Sequence, residues 1–146
     1  MKKILFIVAC FVTMSFTSWE PDFENAKQIA KDKHELILLN FSGSDWCGPC
    51  IRMRKEIFDN DTFLKMADSS LVMVNADFPR SKKNQLSGNT QKQNNKLADK
   101  YNPDGKFPLT LLLDADGKVL KTWDGFPDED AAQLAVQINN IRNGNM

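Results

Sequence analysis

The chain has 146 residues, 42% of them hydrophobic, with 19 Lys+Arg balanced by 19 Asp+Glu. That apolar fraction excludes disorder throughout and suits one compact domain. A formal net charge of zero gives no basic excess for nucleic acid and no acidic solvating arm.

The first residues read as an export signal. Met1-Lys2-Lys3 is a short positive start, and Ile4 to Phe16 is an apolar run of 13 residues. A permanent span needs about 20 residues, so the run fits a cleaved secretory segment, with residues 1–18 as signal and 19–146 as the domain. Losing Lys2 and Lys3 leaves 17 basic against 19 acidic side chains, a charge of −2. Cys10 lies in this run. A lipid anchor through Cys10 is disfavoured because the chain stays apolar through Val12, so Cys10 is read as filler lost on processing. Cys47 and Cys50 then remain.

From Pro21 to Glu35, Phe23, Ala26, Ile29 and Ala30 recur at helical spacing, with Pro21 near the first turn. His34 falls between this helix and the next element, as a surface residue. Leu36 to Phe41 is a near-continuous apolar run, the pattern of a strand covered on both faces. Pro49 to Phe58 reads as a helix burying Ile51, Met53, Ile57 and Phe58, and Asp59 to Ala67 as a further short helix. Leu71 to Phe78 is a second strand. Pro79 to Asn95 is polar, with the charge-dense Arg80 to Lys83, and reads as a solvated loop leading to a helix near Lys92 to Tyr101. Leu109 to Asp114 is a third strand, Asp116-Gly117 a hairpin turn and Lys118 to Trp123 a fourth strand. Pro127-Asp128 opens a last helix with Ala131, Leu134, Ala135, Ile138 and Ile141 on one stripe. Strands separated by helices imply parallel pairing through right-handed crossovers, with the last two strands antiparallel. The expectation is an α/β domain, a mixed four-stranded sheet flanked by helices on both faces.

The stretch "SGSDWCGPCIRM" (Ser42 to Met53) sets two cysteines three positions apart. A structural zinc wants four soft ligands, and besides this pair there is one histidine, His34. A structural clip across so small a loop removes little entropy from the unfolded chain. A redox couple explains more. Cys47 lies where a strand feeds a helix, whose N-terminus favours thiolate over thiol. Cys50 follows one turn later on the same side. Pro49 fits the first helical turn without needing an N–H, and Gly48 keeps the approach to sulfur open.

"WCGPC" (Trp46 to Cys50) resembles the signature of the thioredoxin family, and roughly Pro21 to Asn143 resembles a thioredoxin-fold domain. "NADFP" and "DKYNPDGKFPLTLLLDADGK" resemble exported, single-domain bacterial members. The resemblance implies dithiol–disulfide exchange with protein substrates, Cys47 as nucleophile and Cys50 as resolving thiol. Phe107-Pro108 matches the family's cis proline beside the cysteines, and Gly125 its groove-lining glycine. Trp46, Gly48, Pro49, Phe107, Pro108 and Gly125 are thus the expected substrate-binding residues. Phe126 is read either as rim or as core. Gly-Pro between the cysteines resembles the reducing members, with couples near −270 mV on the order of thioredoxin's. No metal or other cofactor is implied. An exported, periplasmic reductase would draw electrons from a membrane thiol reductase and act as a monomer. An oxidase or isomerase, or a binding module whose cysteines form a latch, stays open as a rival.

The chain departs from the family at one place. Many members bury an Asp on the first strand beneath the second cysteine, and here Asn40 takes that position. The family's nearby Lys on the second strand is replaced by Met73 or its neighbour. Proton handling for Cys50 is therefore expected to differ, through water, Asp45 or Glu56.

Overall fold

A computed structural model describes residues 18–144. The export-signal reading and Cys10 rest on residues outside those described. Nine principal elements follow in order: α1 (Phe23–Lys33), β1 (Leu36–Ser42), α2 (Gly48–Met53), α3 (Asp61–Ala67), β2 (Leu71–Asp77), α4 (Gly88–Tyr101), β3 (Leu109–Leu113), β4 (Val119–Asp124) and α5 (Ala131–Arg142). No helix among the described residues is long and apolar enough to cross a membrane.

The helices begin where side chains can satisfy their free N–H groups. Asp22 accepts from the Asn25 N–H, Asn60 from Thr62 and Ser87 from Thr90. Asp130 and Gln133 form a reciprocal capping box at the head of α5. Pro21 sits just ahead of the first cap. His34 closes α1 in the left-handed region at φ 56° and is exposed, as expected from the sequence.

The sheet has strand order β2-β1-β3-β4. Side chains alternate across β1. Ile37, Leu39 and Phe41 face α1 and α4, while Leu38 faces the layer of α2, α3 and α5. Two cores result, one on each face. β1 and β2 are parallel, as the intervening helices imply. The expectation of parallel pairing fails for β3, which lies antiparallel to β1. After α4 the segment Asn102 to Pro108 carries the chain to the end where β1 finishes, so Leu109 meets Phe41. Asn102 closes this return by exchanging two hydrogen bonds with the Lys106 backbone, both 2.8 Å.

Two local readings need correction. Ile51 is 49% exposed rather than buried. With Cys47 capping α2, Cys50, Met53 and Ile57 fall inward at helical spacing and Ile51 turns outward. A π-helical turn over Arg54–Phe58, with Asp59 N–H on Arg54 O at 2.8 Å, inserts one residue and brings both Ile57 and Phe58 inside. The helix expected near Lys92 starts at Gly88. Its polar composition hid its first turn, because it buries only Asn94 and Leu97.

Candidate functional site

β1 ends at Ser42 and the chain turns through Gly43 to Trp46, with the Trp46 and Cys47 N–H groups both on Gly43 O (3.2 and 2.9 Å). Cys47 has extended backbone and caps α2, its Sγ accepting the Cys50 N–H at 3.3 Å. Gly48 and Pro49 occupy the first helical positions and are exposed. Proline there forfeits no hydrogen bond, since those N–H groups have no partner inside the helix. Cys47 and Cys50 are joined as a disulfide with Cα atoms 5.2 Å apart, and each is 5% exposed.

Phe107, Pro108 and Gly125, expected at the rim, are linked to one another beside Trp46. The Phe107-Pro108 peptide is cis, in agreement with the sequence reading. The Phe107 ring meets Trp46 edge-on at 5.4 Å and Phe78 at 5.6 Å. The Trp46 indole N–H donates to Phe78 O at 2.7 Å. Gly125, at φ 88°, donates its N–H to Pro108 O at 2.9 Å. Phe126 is half-buried, packs against the α2–α5 core and carries the Arg52 guanidinium 4.4 Å above its ring. Of the two readings, the core packing is what these contacts show.

Beneath α2 runs a row of neutral polar groups. Asn40 stands in register with Asn75 on β2 and Thr110 on β3. Asn40 donates to Asn75 Oδ1 at 2.9 Å and accepts from Thr110 Oγ1 at 3.0 Å. Ser42 donates to Asn75 Oδ1 and to Asp77 at 3.0 and 3.2 Å. Asp77 also binds the backbone N–H and hydroxyl of Ser44. Met73 is not the partner of Asn40. It pairs with Leu38 inside the apolar core, and Asn75 stands opposite Asn40. An Asn–Asn pair therefore bridges β1 and β2 at this point. Being neutral, it escapes the desolvation cost of a buried charge.

Cys50 opens onto a cleft of about 270 Å³ lined by Asn40, Ser42, Asn75, Ile51, Lys55 and Asp59 among others. Asp45 and Glu56 do not line it. Asp45 is taken up by the N–H of Arg80, the amide of Asn84 and the N–H of Ser81, which hold its carboxyl below the usual range. Glu56 is paired with Arg52 at 3.3 Å. The cleft is roomy enough for water, and the ionisable side chains that line it are Lys55, Arg54 and Asp59 rather than Asp45 or Glu56.

Sequence reasoning missed Gly43, Asn75, Asp77 and Arg80. Gly43 lies against the Trp46 indole, so that a Cβ there would fall 2.2 Å from the ring. Strand alternation from Met73 through Asn75 to Asp77 was a signal for that face. No sequence signal placed Arg80, whose guanidinium lies 3.8 Å over Trp46. Among the described residues no group of three or more His, Cys, Asp and Glu is placed to hold a metal ion.

Residues 23–139 match the model of a thioredoxin-like domain. Over 117 residues the chain is 35% identical to the disulfide bond reductase DsbH of Chlamydia pneumoniae, covering 80% of this chain and 68% of that protein. It is 28% identical over 123 residues to the thioredoxin-related protein DsbJ of the same organism, spanning 84% of this chain but only 34% of DsbJ. A solved structure of a DsbH oxidoreductase superposes with a TM-score of 0.79 at 27% identity, covering 97% and 95% of the two chains.

Proposed function

The chain belongs to the thioredoxin-like family and is a thiol–disulfide oxidoreductase, and on that premise we propose that it is an exported reductase of protein disulfides. The observation that carries the reading is Cys47 at the head of a helix, its sulfur accepting the Cys50 N–H, with the second sulfur one turn away.

In the reduced protein the helix N-terminus and that N–H favour the Cys47 thiolate, the attacking form in exchange. Cys47 Sγ attacks one sulfur of a substrate disulfide. A mixed disulfide forms, and the other substrate sulfur leaves as thiolate and takes a proton. Cys50 then loses its proton to water in the cleft and attacks Cys47 Sγ. The Cys47–Cys50 disulfide forms, the second substrate thiol is released, and two electrons have passed to the substrate. Trp46, Gly48, Pro49, Phe107, Pro108 and Gly125 line the approach. An extended substrate segment pairs with the backbone beside Phe107 and Pro108, which gives affinity with little demand on sequence. A membrane thiol reductase returns the electrons in the periplasm, after removal of residues 1–18, and the protein works as a monomer. DsbH, a disulfide bond reductase by name, supports the reducing direction.

Equilibration of residues 19–146 with glutathione tests the direction. A couple clearly more reducing than glutathione is expected, and a more oxidising one refutes the reductase reading. Cys50→Ser tests the order of attack. It should accumulate a mixed disulfide on Cys47 during insulin reduction. Turnover retained by Cys47→Ser would refute Cys47 as the nucleophile, and absence of insulin reduction by the native protein would leave the cysteines only a latch.

A further inference from the structure

The segment "PRSKKNQLS" (Pro79 to Ser87) holds Arg80, Lys82 and Lys83 and no acid. Its composition alone suggests a solvated loop, yet the fold draws it onto the redox loop. The Asp45 carboxylate, two residues before Cys47, accepts from the Arg80 N–H (2.9 Å), the Ser81 N–H (2.9 Å) and the Asn84 amide (3.0 Å). A short 3-10 turn over Lys82–Asn84 follows. The Arg80 guanidinium lies over the Trp46 ring at 3.8 Å, a platform that orders the side chain, which stays exposed.

These charges are not neutralised. Arg80, Lys82 and Lys83 are exposed, and none makes an ion pair among the described residues. On the opposite flank Arg52 stacks on Phe126, but its charge is matched by Glu56 at 3.3 Å. Asp124 is matched by Lys106, while Asp45 and Asp77 are held by neutral donors and keep their negative charge. On the Trp46 side of the cysteines the three exposed cations thus outnumber the two acids, Asp45 and Asp77, and the acids face the loop backbone and Ser42 and Ser44 rather than the cations. Of the three, Arg80 is held on Trp46 before any substrate arrives, which lowers the ordering cost of using it.

We propose that this rim selects its substrates: protein segments bearing acidic side chains beside the disulfide cysteine they present to Cys47. The proposal rests on the exchange reading above. Arg80 acts as a specificity-determining residue and Lys82 and Lys83 add to the local field, which speeds encounter with an anionic partner and slows encounter with a cationic one.

The test uses three disulfide peptides identical except for Glu, Gln or Lys on either side of one cysteine. Single-turnover oxidation of the reduced protein is followed by acid quench, alkylation and mass spectrometry. The Glu peptide should react about tenfold faster than the Lys peptide at low ionic strength. The ratio should fall towards one at about 1 M salt, where screening acts within ~3 Å. Arg80→Glu should collapse the ratio, and Arg80→Lys, which keeps the charge, should preserve most of it. A Glu-to-Lys ratio within twofold of one in the native protein, or a ratio unmoved by Arg80→Glu, overturns the proposal while leaving exchange intact. Failure of the Gln peptide to react at all overturns the exchange reading itself.

Discussion

Gly43→Ala would report on how the redox loop is held. The new methyl would meet Trp46 Cε2, Nε1 and Cζ2 at 2.2, 2.4 and 2.5 Å. Carbon atoms rest at about 3.5–4.0 Å, so the indole must withdraw by roughly 1 Å or more. Three interactions go with it. The hydrogen bond from Trp46 Nε1 to Phe78 O (2.7 Å) contributes about 1 kcal/mol. The edge contact with Phe107 at 5.4 Å contributes about 0.5–1.5 kcal/mol. The exposed stack with Arg80 at 3.8 Å contributes about 0.5–1 kcal/mol. The expected loss is therefore about 2–3.5 kcal/mol, at the upper end of the range for overpacking, read as a lower urea midpoint of the oxidised protein. Exchange should also slow by about tenfold or more, because the ring beside Cys47 is displaced. A double-mutant cycle with Trp46→Ala sharpens the test. Without the indole there is nothing to strike, so the Gly43→Ala penalty should vanish. An unchanged midpoint in the single variant, or an equal penalty in both backgrounds, refutes the argument.

Asn40→Asp should place a carboxyl beside Cys50, shift the pH dependence of mixed-disulfide resolution upward and add a second ionisation. Quench-flow of the substrate-bound intermediate reads this, and an unaltered pH profile would show that the residue at position 40 has no part in proton transfer. Asp45→Asn should destabilise the protein at pH 7 and much less near pH 2. The Asp45 carboxyl titrates below its ordinary value in the fold, so its stabilisation is complete above the unfolded value of about 3.9 and fades as pH falls through the lower folded one. Urea midpoints at both pH values check it, and a pH-independent difference would contradict the assignment.

How much of this protein was legible in its sequence depends on the range of the interactions. The helices and strands follow from local periodicity, caps and turn residues: the Phe23, Ala26 and Ala30 stripe, the Leu36 to Phe41 run and Asp116-Gly117 all stand where local pattern puts them. The cysteine pair was equally plain, because both sulfurs and the helix head lie within four residues.

What the tertiary structure decided lies between segments distant in the chain. The antiparallel setting of β3 brings Phe107-Pro108 beside Trp46, and strand order is a property of the whole sheet rather than of any window of residues. Register made Asn75, not Met73, the partner of Asn40, since a shift of one or two positions along β2 changes every contact across the pair. Arg80 and Lys83 read as solvated charge until Asp45, 35 residues before Arg80, drew the loop onto the redox site. Local sequence determined which segments form and which sulfurs react. Packing of remote segments decided what surrounds those sulfurs, because hydrogen bonds and stacking select partners by distance in space.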